Sequence, residues 1–356
     1  MRALAWTFGW PLAALYGGLV RLRLAAYRLG WRRIHRLGAP TIAIGNLTAG
    51  GTGKTPVVSW LLREAQAAGH RPACLTRGYG RRTAADLSRA CVQDGTPADA
   101  PSLGDEAAML AASHPSIPFF VCADRVLAAR LALLTDAPDL FVLDDGYQHL
   151  RAARDLNVLL VDGQTGFGNG RLLPRGPLRE PLGGVARADV VLITKSEPGQ
   201  GEAIEAQLRK LGVRAPVFRC AYRATGLARL DGETRLPLTA LAGRRVGALC
   251  GIARPEAFRE SLMALGATVA HLEVRPDHHP YGEPDLHRIE ALVAGTPDAA
   301  AAAGPEWITT EKDAVKLRGR LSAGAAARLW VLAMEAVPEP AARAFFLDRL
   351  RALTLK

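Results

Sequence analysis

The sequence predicts an α/β fold: a parallel sheet covered by helices on both faces, then a second, smaller α/β domain, with an apolar-to-basic helix ahead of both. Three observations predict it. From Pro40 onward, short and nearly continuous apolar runs alternate with longer helix-like runs, the pattern of strands buried on both faces. After Val217 the texture changes, and a second alternating series then begins. Before Pro40 neither pattern holds, and an uncharged stretch gives way to an arginine-rich one.

Residues Ala3 to Val20 carry no charge, close to the roughly 20 apolar residues that cross a bilayer as a helix. Pro11 and the Gly17-Gly18 pair weaken a straight span. The following RLRLAAYRLGWRRIHRLG mixes Leu, Tyr27 and Trp31 with arginines. That composition suits a membrane-associated helix lying in the headgroup layer, with guanidinium groups on lipid phosphates. Shallow insertion, a full span and packing on the protein's own core are the three readings open to this segment. A secretory signal fits poorly, because the basic cluster follows the apolar run. Arginines on the cytoplasmic side leave everything after them in the cytoplasm.

Strands are predicted at Thr41 to Gly45, Ala73 to Thr76, Pro118 to Cys122, Leu140 to Asp144, Asn157 to Asp162 and Asp189 to Thr194. Helices are predicted at Val57 to Gly69, Asp105 to Ser113 and Arg125 to Thr135. FRCAYRATGLARLDGETRLPL reads as two short strands around Asp231-Gly232. The second series runs RVGALCGI, a helix from Pro255 to Leu265, TVAHLEV, a helix after Pro284, EWITT, RLWVLAMEAV and a last helix from Glu339 to Leu353. The expected division is a helical segment over 1–38, a nucleotide-binding α/β domain over 39–215, a two-stranded linker over 216–240 and a second α/β domain with the C-terminal helix over 241–356.

The formal net charge is +11, which favours a polyanionic partner: nucleic acid, an anionic membrane or a phosphorylated substrate. The excess is local, since no Asp or Glu precedes Glu64 while Arg21, Arg23, Arg28, Arg32, Arg33 and Arg36 crowd one stretch. No recognition helix, RNA motif or aromatic-basic groove supports nucleic acid. No protein partner is inferred. The five cysteines are odd in number and form no C-x-x-C pair, against a disulfide framework or zinc site and in favour of buried thiols in a reducing compartment.

The strongest motif is GNLTAGGTGKTP, Gly45 to Pro56, between a predicted strand and a predicted helix. This context makes the first domain a P-loop NTPase-like parallel sheet. Thr48, Ala49, Gly50, Gly51, Thr52, Gly53, Lys54 and Thr55 form the expected nucleotide loop. Its glycines let consecutive N–H groups converge on phosphate at a helix N-terminus. Lys54 should reach the β- and γ-phosphates of ATP, and Thr55 should bind Mg²⁺. Thr48 holds the place of the usual first glycine, so the match to G-x-x-x-x-G-K-[ST] is imperfect.

Asp144 and Asp145 end an apolar strand, where acids of P-loop proteins hold Mg²⁺ directly or through water. Gln148 and His149 follow within reach of the transferring phosphate or acceptor. Asp105 and Glu106 open a helix, either as first-turn capping acids or, for Glu106, as a further metal ligand. Asp277, His278 and His279 follow a strand of the second series, as a surface loop, a metal site or a base-orienting group. A positioned carboxylate is a sensible acceptor for a hydroxyl proton, and a neighbouring His can orient it. Arg77, Tyr79 and Arg81 in RGYGR, with Arg125, are candidates for clamping substrate.

Taken together these residues resemble the tetraacyldisaccharide 4′-kinase family. The resemblance runs over nearly the whole chain, through the apolar-basic N-terminus, GNLTAGGTGKTP, RGYGR, GDE, DDGYQH, LLPRGPLREP, DHH and TTEKDAVK. It implies transfer of the ATP γ-phosphate to the 4′-hydroxyl of a tetraacylated glucosamine disaccharide 1-phosphate, at the cytoplasmic face of the bacterial inner membrane, with a Mg²⁺ requirement. It makes Asp105 the general base and His278, next to His279, its partner. It places Arg179 and Glu180 near the nucleotide. A four-chain lipid stays in the bilayer at roughly 0.8 kcal/mol per buried CH₂, so the enzyme must come to the membrane. A GTPase or metallochaperone-like protein, from a loose T-K-x-D signature in ITKSE (Ile193 to Glu197), and a membrane-tethered nucleotide switch are the competing readings.

Overall fold

Apolar runs become strands and the runs between them become helices close to the limits read from sequence. The computed structural model describes residues 2–78, 87–94, 100–197, 199–232, 234–295 and 306–354. In chain order come α1 (Arg2–Arg28), β1 (Thr41–Asn46), α2 (Lys54–Ala67), β2 (Pro72–Thr76), β3 (Leu87–Ala90), α3 (Ala100–Leu103) and α4 (Asp105–Ser113). Next are β4 (Phe119–Cys122), α5 (Arg125–Thr135), β5 (Leu140–Asp144), β6 (Leu156–Asp162), β7 (Val190–Thr194), α6 (Glu202–Lys210), β8 (Val217–Arg229) and β9 (Arg235–Leu236). The chain then forms β10 (Arg245–Cys250), α7 (Pro255–Ala264), β11 (Thr268–Val274), α8 (Glu283–Ala294) and β12 (Trp307–Thr310). It ends with α9 (Glu311–Leu317), α10 (Ala323–Arg328), β13 (Leu329–Pro338) and α11 (Pro340–Thr354).

One sheet carries all the strands, in the order β11-β10-β12-β13-β8-β7-β6-β1-β5-β2-β4-β3, with β9 paired to β8. Pairing is parallel from β8 to β4 and from β11 to β13. The two series join where β13 runs antiparallel to β8. Side chains alternate across each strand, which divides the core into two layers. Ile42 and Ile44 of β1 pack with Val57, Leu61 and Leu62 of α2 and Leu110 of α4. Ala43 faces the other way, toward Val126, Ala128 and Ala132 of α5. The last β1 residues therefore emerge at one sheet edge beside the start of α2, and the ends of β5, β6 and β7 emerge with them.

Two features differ from the sequence reading. The segment 216–240, expected as a two-stranded linker, is mostly the 13-residue central strand β8, which pairs with β7 along its first part and with β13 along the rest. Antiparallel return of β13 gives β8 a partner over its whole length, so the two series share a sheet. The C-terminal helix, expected with the second series, packs on the first: Phe346 meets Trp60 of α2 edge-on, with ring centroids 5.1 Å apart. Its Ala342, Phe346 and Leu350 complete the apolar face that α2 turns away from the sheet.

Helix α1 continues through Pro11 for 27 residues. Packing on the protein's own core, one of the three readings, does not hold for its larger apolar side chains: Leu15 is 63% and Leu19 58% exposed, and Trp31 beyond it 72%. Among the described residues no helix is long and apolar enough to cross a membrane. The helix touches the body through Tyr16, whose hydroxyl donates to the Arg179 carbonyl at 2.6 Å, and through Arg23, which donates to the Gln148 carbonyl at 3.0 Å.

Candidate active site

The loop between β1 and α2 is held from three sides. Asn46 at the end of β1 donates to the Thr48 carbonyl at 2.7 Å, and Ala49 N–H donates to Pro177 at 2.6 Å. On the far side Lys195 donates to the Gly51 carbonyl at 2.8 Å, Thr194 to the Thr52 carbonyl at 2.8 Å, and the Tyr222 hydroxyl to the Gly53 carbonyl. With these carbonyls engaged, the loop leads directly into the N-terminus of α2, where backbone N–H groups favour an anion. Gly53 has φ 75° and a Cβ there would strike the Tyr222 ring, so no other residue type fits this turn.

Lys54 is buried and lies 3.5 Å from Asp145 and 3.4 Å from the Asn46 side-chain oxygen. Asp145 also accepts two bonds from Arg179, at 2.7 and 3.0 Å. Burial works against ionising Asp145, but Lys54 and Arg179 hold its carboxyl below the usual range. Asp144 behaves in the opposite way. Burial, then the charges of Glu106 and Asp145, push it up to about 6 against the pull of Lys54. Its Oδ2 accepts from Thr76 at 3.0 Å, whereas Oδ1 is buried with no protein partner.

That orphan oxygen, crowded by two further carboxylates, fits a hard divalent cation. Mg²⁺ takes oxygen ligands and usually needs only one or two carboxylates beside substrate phosphates. Among the described residues no group of three or more His, Cys, Asp or Glu forms a ready-made cage. A cation here would need further oxygen ligands from outside this group.

A second cluster assembles between the two series. Asp105, first residue of α4, has Oδ2 3.5 Å from His278 Nδ1 and 2.9 Å from Lys316 Nζ of α9. Lys312 pairs with Asp277 at 2.6 Å and brings its ammonium 3.1 Å from His278 Nε2. An ammonium can only donate, so Nε2 accepts and a neutral His278 carries its proton on Nδ1, toward Asp105. His279 is committed elsewhere, with Nε2 2.8 Å from Asp285. The geometry thus separates two histidines that the sequence leaves together.

Other expected site residues divide. Gln148 donates to the Asn46 carbonyl at 2.7 Å and to Glu180 at 2.8 Å, behind the nucleotide loop. Arg125, expected as a substrate clamp, is instead buried, with its guanidinium donating to the carbonyls of Cys122, Ala123 and Asp144; it braces the end of β5. Glu180, expected near the nucleotide, is 2% exposed and paired with Arg187 at 2.8 Å. That buried pair matches its charges internally, and the Gln148 amide stands between the carboxylate and the Asn46 carbonyl. Burial, then the charge of Arg125, lowers His149 to about 4, so it stands neutral, with Nε2 unpartnered. Arg77 is exposed just past β2, while Tyr79 and Arg81 lie outside the described residues.

Sequence reasoning gave no role in this site to Lys195 (placed only in the loose T-K-x-D signature), Tyr222, Lys312 or Lys316. The last two stand in TTEKDAVK, which carried the resemblance but no contact; the first two brace the loop from distant strands that no local spacing connects. Glu197, the acid of the T-K-x-D-like stretch, points to Arg223 at 2.9 Å, and Lys195 is drawn to the Gly51 carbonyl. The stretch supports the loop rather than presenting an acid for guanine.

A family profile described as tetraacyldisaccharide-1-P 4′-kinase matches residues 5–351. A tetraacyldisaccharide 4′-kinase of Geobacter sulfurreducens is 43% identical over 314 residues, 87% of this chain and 84% of that one. One of Anaeromyxobacter dehalogenans is 43% identical over 323 residues, 88% and 82% of the two chains. Among solved structures, LpxK of Aquifex aeolicus in complex with ATP superposes with a TM-score of 0.76 at 29% identity, covering 96% of this chain and 97% of that one. With a matched profile from end to end and relatives this similar over most of their length, the chain belongs to the tetraacyldisaccharide 4′-kinase family.

Proposed function

We propose that this kinase transfers the γ-phosphate of ATP to the 4′-hydroxyl of a tetraacylated glucosamine disaccharide 1-phosphate, with Asp105 as proton acceptor. The acceptor oxygen forms a bond to the γ-phosphorus, the bond from that phosphorus to the bridging oxygen breaks, ADP leaves, and the hydroxyl proton passes to Asp105. Asp105 is suited to this by its place at the α4 start, with His278 behind Oδ2. Lys54 and the loop N–H groups grip the β- and γ-phosphates. Thr55, Asp144 and Asp145, with Glu106 nearby, would hold Mg²⁺, which when bound neutralises charge on the transferring phosphoryl group. Arg179 holds Asp145 in place for this.

The observation that carries this reading is a juxtaposition at one sheet edge. Lys54 and the carboxylate next to Asp105, Glu106, both act on Asp144, while Asp105 itself meets His278 from the other series. The first series supplies the nucleotide loop, and the second brings in the partner of the base. The exposed Leu and Trp side chains of 10–31, with six exposed arginines between 21 and 36, suit the cytoplasmic surface of an anionic inner membrane, where the lipid substrate resides.

The test is transfer of labelled γ-phosphate from ATP to the disaccharide monophosphate in detergent micelles. Label should appear in the lipid in a Mg²⁺-dependent manner. Nucleotide hydrolysis with no labelled lipid would contradict the proposal.

A further inference from the structure

We infer that Lys316 is a positioning residue of the phosphoryl-transfer site, which fixes the Asp105 carboxylate through Oδ2 and leaves the proton to Oδ1; the inference rests on Asp105 being the base. Three observations converge on this lysine. Its ammonium sits 2.9 Å from Asp105 Oδ2 with a side chain only 4% exposed. Burying a lysine is costly unless a counter-charge and acceptors are supplied, so the position is held by its partners. Asp105 supplies the charge, and the His279 carbonyl accepts a second bond at 3.0 Å.

That second acceptor lies in the loop that presents His278. His278 and Tyr281 have φ of 61° and 51°, a left-handed conformation unfavourable for residues bearing a Cβ. Contacts around the loop offset this: Lys316 on the His279 carbonyl, the Tyr281 hydroxyl on Asp313 at 3.0 Å, and His279 on Asp285. The ammonium also lies 5.8 Å from the centroid of the Tyr281 ring. One ammonium therefore ties the acid on α4 to the loop carrying its histidine. Lys316 and His278 both approach Oδ2, so the carboxylate is fixed from two sides in one rotamer. A reacting group displaced by about 1 Å loses on the order of 10²-fold in rate, which sets the effect to expect.

The experiment measures kcat, the KM for ATP and thermal melting for Lys316→Met, Lys316→Arg, Asp105→Asn and the Asp105→Asn/Lys316→Met double variant. Lys316→Met should lose about 10²-fold in kcat with the KM for ATP within about twofold, and Lys316→Arg should recover to within about tenfold of the parent. In the Asp105→Asn background the same substitution should cost less than about threefold, because the partner it acts through is gone. Parental kcat for Lys316→Met would overturn the inference, as would an undiminished loss in the double variant. If Lys316→Met does not melt cooperatively, the Arg variant is compared with and without Asp105→Asn, and an equal loss in both overturns it as well. Parental activity of Asp105→Asn alone would instead remove Asp105 as base.

Discussion

The proposed phosphate-gripping end of the site and the proposed proton-accepting end are built on different plans. The first is one strand, one loop and one helix start, Asn46 to Thr55, flanked by the end of the neighbouring strand β5. The second draws Asp105 from α4, His278 from the loop after β11, and Lys312 and Lys316 from α9, elements of both series. The difference predicts that binding and chemistry are separable. Damage to the contiguous end should reach nucleotide grip and turnover together, and damage to the composite end should reach turnover alone.

The strongest way to break that comparison is Lys54→Ala. It removes the buried ammonium beside Asp145 and should lower kcat by at least about 10³-fold, with weakened ATP affinity by calorimetry. Loss of turnover with parental affinity would blur the line between the two ends. His278→Ala, at the composite end, should cost about 10²-fold in kcat with unchanged ATP affinity, measured in the same micellar assay. A drop in ATP affinity equal to the drop in kcat would count against separability.

Deleting residues 1–36 probes a third region. It removes six exposed arginines, each contributing about 1 kcal/mol at an anionic surface, so partition into anionic vesicles should fall at least tenfold while ATP binding persists. Unchanged partition would refute the membrane assignment.

The smallest effect concerns stability of α9. Burial raises Glu311 from 4.5 to about 7, against the Met334 N–H that it accepts. The folded state then holds that proton more tightly than the unfolded chain, so stability falls as pH rises from about 4.5 to about 7 and is level above. Glu311→Gln should flatten that slope and stabilise the fold at pH 8 by on the order of 1–3 kcal/mol, read as a higher melting temperature. An unchanged pH profile would show that α9 tolerates the charge.

The same contrast explains what was legible in the sequence. A P-loop is a local device, with glycines, lysine and threonine at fixed spacing between a strand and a helix, and it was read directly. Strands such as Leu140–Asp144 and helices such as Arg125–Thr135 matched because their apolar periodicity matches their burial. The pairing of β13 with β8 was not legible, since antiparallel return across two series leaves no local mark. Arg125 reads as a substrate clamp in the sequence because an isolated charge does not disclose the buried carbonyls that surround it. Choosing between His278 and His279 required knowing which ring reaches α4.

The sharpest single measurement is single-turnover transfer by Asp105→Asn enzyme preloaded with MgATP. Nucleotide should be retained as tightly as in the parent, while phosphate reaches the disaccharide at least about 10²-fold more slowly. Transfer at the parental rate would contradict the assignment of the proton to the carboxylate on α4.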